Sequence, residues 1–125
     1  MPHKIRIAIV GAGETGAPLL EQLLSADFVK IVGIADLDDK APGIVLAQSK
    51  GVRTYGDFMD LARLGEDIDI LIDVTGVHKV RDGLRQYMRD SDNHHTVIMH
   101  ELIAVLLLSL SKGELVRIKH GDLDY

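Results

Sequence analysis

Residues 5–24 read IRIAIVGAGETGAPLLEQLL. A mostly apolar run passes straight into Gly11-Ala12-Gly13-Glu14-Thr15-Gly16, a G-x-G-x-x-G pattern, and then into a segment with Leu19, Leu20, Leu23 and Leu24 at i, i+1, i+4 and i+5. A strand, a glycine turn and an amphipathic helix in that order make the first half of a βαβ unit. Each glycine has its own task. Gly11 permits the tight turn, Gly13 lets a pyrophosphate approach backbone N–H groups, and Gly16 lets helix and strand pack closely. The helix N-terminus adds partial positive charge. Glu14 and Thr15 complete the loop. The Glu14 carboxylate stabilises the helix start by itself, yet it places negative charge where a pyrophosphate would sit, which predicts modest affinity. Pro18 falls past the first turn if the helix begins just after Gly13, and it would remove one backbone hydrogen bond there, so an irregular start is expected.

Working outward, apolar runs alternate with helix-period segments, the pattern of parallel βαβ units. Strands are expected at Lys4 to Val10, Lys30 to Ala35, Val52 to Tyr55, Asp69 to Thr75 and Thr96 to Met99. Helices are expected at Glu14 to Ala26, Ala41 to Lys50, Asp57 to Leu64, Val77 to Asp90 and His100 to Lys112. The fold class is α/β, a doubly wound, mostly parallel sheet with helices on both faces and a ligand crevice at the carboxyl ends of its strands. No repeat, low-complexity tract or linker divides the chain. Residues 1–112 form one domain, and 113–125 form a tail or an extra edge strand.

Composition narrows the chemistry. The chain has 125 residues, 14 Lys and Arg against 19 Asp and Glu, and a formal charge of -5. That sign argues against nucleic acid, and there is no basic run. The absence of cysteine from the sequence rules out disulfides, zinc–thiolate sites and thiol nucleophiles. The apolar stretch Leu102 to Leu108 is far short of the ~20 residues that span a bilayer. No signal peptide is legible in MPHKIRIAIV. A cytoplasmic protein that does not bind membranes is the expectation.

The surroundings of the glycine loop decide its reading. Asp36 stands at the end of the second strand, about 20 residues beyond the loop, where a carboxylate accepts hydrogen bonds from an adenosine ribose and repels a 2'-phosphate. The following Leu37, Asp38 and Asp39 supply no Arg for that phosphate. NAD is therefore favoured over NADP. The alternative is a loop of this type that has lost its ligand.

Four segments carry a family resemblance: IAIVGAGETG, VKIVGIADLD, GVRTYGDFMDLA and DIDILIDVTGVHKV. In this order they resemble the N-terminal dinucleotide-binding Rossmann domain of the glucose-fructose oxidoreductase and inositol dehydrogenase family, with homoserine dehydrogenase and related reductases as cousins. The resemblance implies that Thr75, Gly76 and His78 sit near the nicotinamide ribose. For His78 the alternative is a loop histidine that caps the next helix. ADLDDKAPGIVLAQSKGVRTYGDF is also similar to dinucleotide-binding modules found beside bacterial sensor kinases.

The resemblance breaks after the fifth strand. Where the family has a Glu-Lys-Pro motif with a catalytic lysine, this chain has His100-Glu101-Leu102, and the remainder after Lys112 is too short for a substrate domain. H-E-x-x-H is not completed either, because Ala104 occupies the fourth position after His100. His94, His95 and His100 read as solvated or capping residues, with an adventitious metal as the alternative. Asp73, inside an apolar strand, reads as an acid bonded to nearby backbone N–H groups, or as a pKa-shifted acid. No catalytic set and no metal site is assigned.

The expectation is thus a stand-alone NAD(H)-binding module that reports or presents its cofactor. The alternatives are the cofactor-binding part of an NAD-dependent oxidoreductase, and an interaction domain with an empty nucleotide pocket. The helix 100–112 is apolar around most of its circumference and is expected to mediate a homodimer. A signalling or catalytic protein is a further expected partner.

Overall fold

The computed structural model describes residues 3–116. Five strands, β1 (Ile5–Val10), β2 (Val29–Ala35), β3 (Thr54–Tyr55), β4 (Ile70–Asp73) and β5 (Val97–Met99), form one sheet. Their order is β3-β2-β1-β4-β5, and every pairing is parallel. The helices are α1 (Gly16–Leu24), α2 (Pro42–Ser49), α3 (Phe58–Ala62), α4 (His78–Asp90) and α5 (Glu101–Lys112). A short 3-10 turn at Gly65–Asp67 was not foreseen. Otherwise each expected element is present within a few residues of its expected ends.

Strand alternation explains the two cores. On one face Ile7, Ile9, Ile34 and Ile72 pack against α1, α2 and α5 through Leu19, Leu20, Ile44, Ala47, Ala104 and Leu108. On the other, Ala8, Val10, Ala35 and Leu71 meet Leu61 and Ala62 of α3 and Leu84 and Met88 of α4. Because both faces are covered, the central strands are apolar at successive positions rather than at every second one.

The uninterrupted part of α1 begins at Gly16, but helical bonding reaches further back. Ala17 N–H donates to Gly13 O at 3.0 Å and Leu19 N–H to Thr15 O at 3.2 Å, while Pro18 between them has no N–H to offer, which is the expected irregular start. At the other end of the chain, Gly113 closes α5 in the left-handed region with φ 79°. Val116 donates its N–H to Ser109 Oγ at 2.9 Å, and residues 113–116 form no strand. The rest of the expected tail or edge strand lies outside the described residues.

At the amino ends of the strands, Asp69 joins β1 to β4 and to the loop before β5. Its Oδ1 accepts from Arg6 Nη2 at 2.8 Å, its Oδ2 accepts from the Arg6 backbone N–H at 2.8 Å, and His95 Nε2 lies 2.7 Å from Oδ1. The Arg6 guanidinium, then the Arg6 N–H, then His95 hold the Asp69 carboxyl well below the usual carboxylate range. A depressed folded-state pKa contributes stability above the unfolded value, near ~4, and that contribution is lost as pH falls further. The stability gap between wild type and Asp69→Asn is therefore expected to shrink as denaturant unfolding is repeated from about pH 7 down to about pH 3. A gap that stays constant or widens on acidification contradicts this. The pair is partly exposed, so the effect is modest.

Candidate nucleotide site

The chain runs from β1 outward to β3 and then returns to β4 on the other side of β1. The loops leaving the carboxyl ends of β1 and β4 therefore diverge and leave a crevice between them. It has a volume of about 760 Å³, within the usual range for small-molecule sites.

The glycine loop forms one wall. Gly11 has φ +105°, a conformation that a side chain would strain, and its N–H donates to Ala35 O at 2.8 Å. A Cβ on Gly16 would be driven into the Gly11 carbonyl, with its carbon only 2.8 Å away. Gly13 differs: a Cβ there meets nothing within 4 Å, because this glycine faces the open crevice. The N–H groups of Gly13, Glu14, Thr15 and Gly16 find no acceptor among the described residues, and Thr15, the N-cap of α1, makes no side-chain cap. Adjacent free donors at a helix start form an anion-binding concavity, and the open space over Gly13 gives a diphosphate room to reach them.

Asp36 is locked to that wall. Its Oδ2 accepts from Ala12 N–H at 2.8 Å and its Oδ1 from Asp38 N–H at 2.9 Å. Each oxygen keeps further acceptor capacity, and the side chain lines the crevice, so a sugar diol is a fitting partner. From below, Gly43 at the start of α2 donates to Ala12 O at 2.7 Å, and a Cβ there would stand 2.8 Å from that oxygen. The apolar part of the lining comes from Leu37, which is 93% exposed, and from Phe58, Val77 and Val80. Such side chains suit the flat face of a base.

Across the crevice, Asp73 shapes the loop after β4. Its Oδ1 accepts from Thr75 N–H at 3.0 Å and Thr75 Oγ1 at 2.7 Å, and Thr75 Oγ1 accepts from Val77 N–H at 3.1 Å. The backbone-bonded reading of Asp73 is the one this geometry matches. Gly76 turns the chain into α4 with φ +68°.

No family model matches the chain. Acetaldehyde dehydrogenase 2 of Salinispora arenicola is 33% identical over 87 residues, which are 69% of this chain and 28% of that protein. Among solved structures, GenD2 from gentamicin A biosynthesis, in complex with NAD, matches 80% of this chain and 35% of its own with a TM-score of 0.55 and 18% identity. Apo scyllo-inositol dehydrogenase from Lactobacillus casei matches 91% of this chain and 44% of its own with a TM-score of 0.54 and 15% identity. At such identities the structures speak for the fold. This chain is a Rossmann domain. The resemblance to the inositol dehydrogenase group holds at that level, and acetaldehyde dehydrogenases stand beside it as sequence relatives. The chain spans under a third of the length of the curated relatives, 29% and 28% in two cases.

Within this Rossmann domain, Gly11, Gly13, Glu14, Thr15, Asp36, Leu37 and Thr75 line one crevice. Gly16 is buried beneath the loop, and Gly76 serves the turn beside it. His78 is not among the lining residues. It opens α4 as its first helical residue, while the N-cap position belongs to Val77, and its Nδ1 accepts from Arg81 Nη2 at 2.7 Å. His94 and His95 precede β5 and His100 follows it, so they sit at opposite ends of the sheet. No group of three or more metal-ligating side chains gathers among the described residues. His100 Nδ1 accepts from Leu102 N–H at 2.8 Å, which makes it the cap of α5, and Glu101 is 2% exposed. Sequence reasoning missed Pro42, Phe58, Val77 and Val80 as lining residues. The available signal was topological, since every strand-to-helix loop in a parallel sheet ends on the same rim.

Proposed function

We propose that this Rossmann domain binds NAD(H), with the diphosphate on the N–H groups from Gly13 to Gly16 and the adenosine ribose on Asp36. The observation that carries the reading is the rigid unit of glycine loop and acid: Asp36 bonded to Ala12 N–H at 2.8 Å, beside four donors with no acceptor among the described residues. GenD2, solved in complex with NAD, supports it. When bound, the nicotinamide supplies hydride transfer; the residues described here bind and orient it. Titration calorimetry with NAD, NADH, NADP, ATP and coenzyme A tests the reading, with NAD or NADH expected to bind most tightly.

The domain's role follows one of two lines. As the cofactor part of an oxidoreductase it would work with a substrate site supplied by other residues, and acetaldehyde dehydrogenases as sequence relatives favour this line. As a sensory or regulatory module it would present the cofactor to a partner protein. The engagement of His100 as a helix cap favours the second line, because that residue stands where the inositol dehydrogenase resemblance implies a catalytic motif. In either role the proposed setting is the cytoplasm. No helix among the described residues is long and apolar enough to cross a membrane.

A homodimer through α5 is also proposed. Ala104, Val105 and Leu108 of this helix are buried, yet Leu102, Ile103, Leu106, Leu107 and Leu110 are between 41% and 70% exposed. They form a continuous stripe at i, i+1, i+4, i+5 and i+8. A stripe of Leu and Ile that is nearly uniform along its length matches itself under a two-fold axis, so a second copy is the fitting occupant. Light scattering at micromolar protein is expected to give a dimer, and Leu106→Glu a monomer. A monomeric wild type contradicts the proposal.

A further inference from the structure

The crevice has an unusual charge pattern for a site that holds a diphosphate. Glu14, Asp36, Asp38 and Asp57 all line it, and no Lys or Arg does so among the described residues. Two of these acids have fixed backbone partners besides Asp36: Asp38 Oδ1 accepts from Lys40 N–H at 2.9 Å, and Asp57 Oδ1 accepts from Met59 N–H at 2.9 Å. Such bonds spread their charge without cancelling it. Glu14 stands apart. It is exposed, it sits between the open face of Gly13 and the first turn of α1, and its N–H is one of the four free donors. Any anion drawn to those donors must approach the Glu14 carboxylate.

We infer that Glu14, within this acid-lined crevice, makes the site select the oxidised dinucleotide over the reduced one and keeps both exchangeable. The inference rests on the NAD(H) reading above. NAD+ carries one net negative charge at neutral pH, because the nicotinamide cation offsets part of the diphosphate; NADH carries two. Two unit charges on the order of 10 Å apart in a water-like medium change one another's binding about twofold. Several acids acting together give NADH a dissociation constant about threefold above that of NAD+. The same repulsion reverses the usual effect of salt. An anion site built from lysines weakens as salt screens attraction, whereas here screening removes repulsion and tightens binding.

The test is calorimetric titration of the whole chain with NAD+ and with NADH, at about 0.02 M and about 0.3 M salt, where the Debye length falls from roughly 20 Å to roughly 6 Å. Wild type, Glu14→Gln and Glu21→Gln are compared. Glu21 is exposed on α1 and does not line the crevice, so its variant reports the effect of removing one remote charge. The expected results are weaker binding of NADH than NAD+, tighter binding of both at the higher salt, and a two- to threefold tightening in Glu14→Gln with the NADH penalty reduced. Glu21→Gln should match wild type. Equal or tighter binding of NADH in wild type overturns the inference. So does salt-weakened binding, or a Glu14→Gln variant indistinguishable from wild type. Complete absence of binding by both forms is a separate outcome, which removes the NAD(H) reading and this inference with it.

Discussion

Gly16→Ala is expected to destabilise the domain by about 2 kcal/mol and to disable the crevice. Alanine inside a helix is normally about 1 kcal/mol better than glycine, so propensity alone predicts a gain. Here sterics reverse the sign. The added Cβ would be driven into the Gly11 carbonyl, with the Gly11 carbon 2.8 Å away and Val74 Cγ2 at 3.5 Å. The obstacle is backbone, which cannot rotate aside as a side-chain tip can, and overpacking of this kind costs about 1–3 kcal/mol or more. Relief would pull α1 away from β1 and open the gap where the four N–H donors converge. Denaturant unfolding measures the change. A Gly16→Ala protein as stable as wild type would mean that the loop does not pack as described. Gly13→Ala is the informative contrast, because its Cβ meets nothing within 4 Å: stability should barely change while ligand affinity falls.

Asp36→Ala is expected to raise the NAD dissociation constant at least tenfold. Hydrogen bonds to a charged acceptor contribute about 1.5–3 kcal/mol, and 1.4 kcal/mol corresponds to about tenfold in affinity. The substitution also leaves the N–H groups of Ala12 and Asp38 without their acceptor, which loosens the loop that must receive the diphosphate. Titration of wild type and variant with NAD and NADP measures both effects. The preference for NAD should narrow in the variant, since the repelling carboxylate is gone. Unchanged NAD affinity would refute the assignment of the ribose to Asp36.

The fold was legible because a sheet covered on both faces writes itself as apolar runs such as Ile5–Val10 and Ile70–Asp73, separated by helix-period segments. The glycine loop and Asp36 were legible for a different reason: their spacing along the chain encodes a turn and a strand end that meet in space. Contacts between distant residues were not. Nothing local in the sequence marks Gly43 as the residue that fastens α2 to Ala12, or Phe58 as part of the lining, since each acts through residues far from it in the chain. Pro18 was legible too, because proline's lack of an N–H acts locally: the helical bonds of Ala17 and Leu19 flank it and the one between them is missing, so the uninterrupted helix starts only at Gly16. His78 was placed by resemblance alone, and the structure sets it at the start of α4 outside the crevice lining.

Amide proton–nitrogen correlation spectra recorded during addition of NAD+ test the central claim most directly, because each backbone N–H reports for itself. The account predicts the largest shifts at Gly11, Ala12, Gly13, Glu14, Thr15 and Gly16, together with Asp36 and Leu37, and small shifts at Arg6, Asp69 and His95 on the opposite rim. Shifts that saturate with added NAD+ yet leave Gly13 to Gly16 unmoved would contradict it.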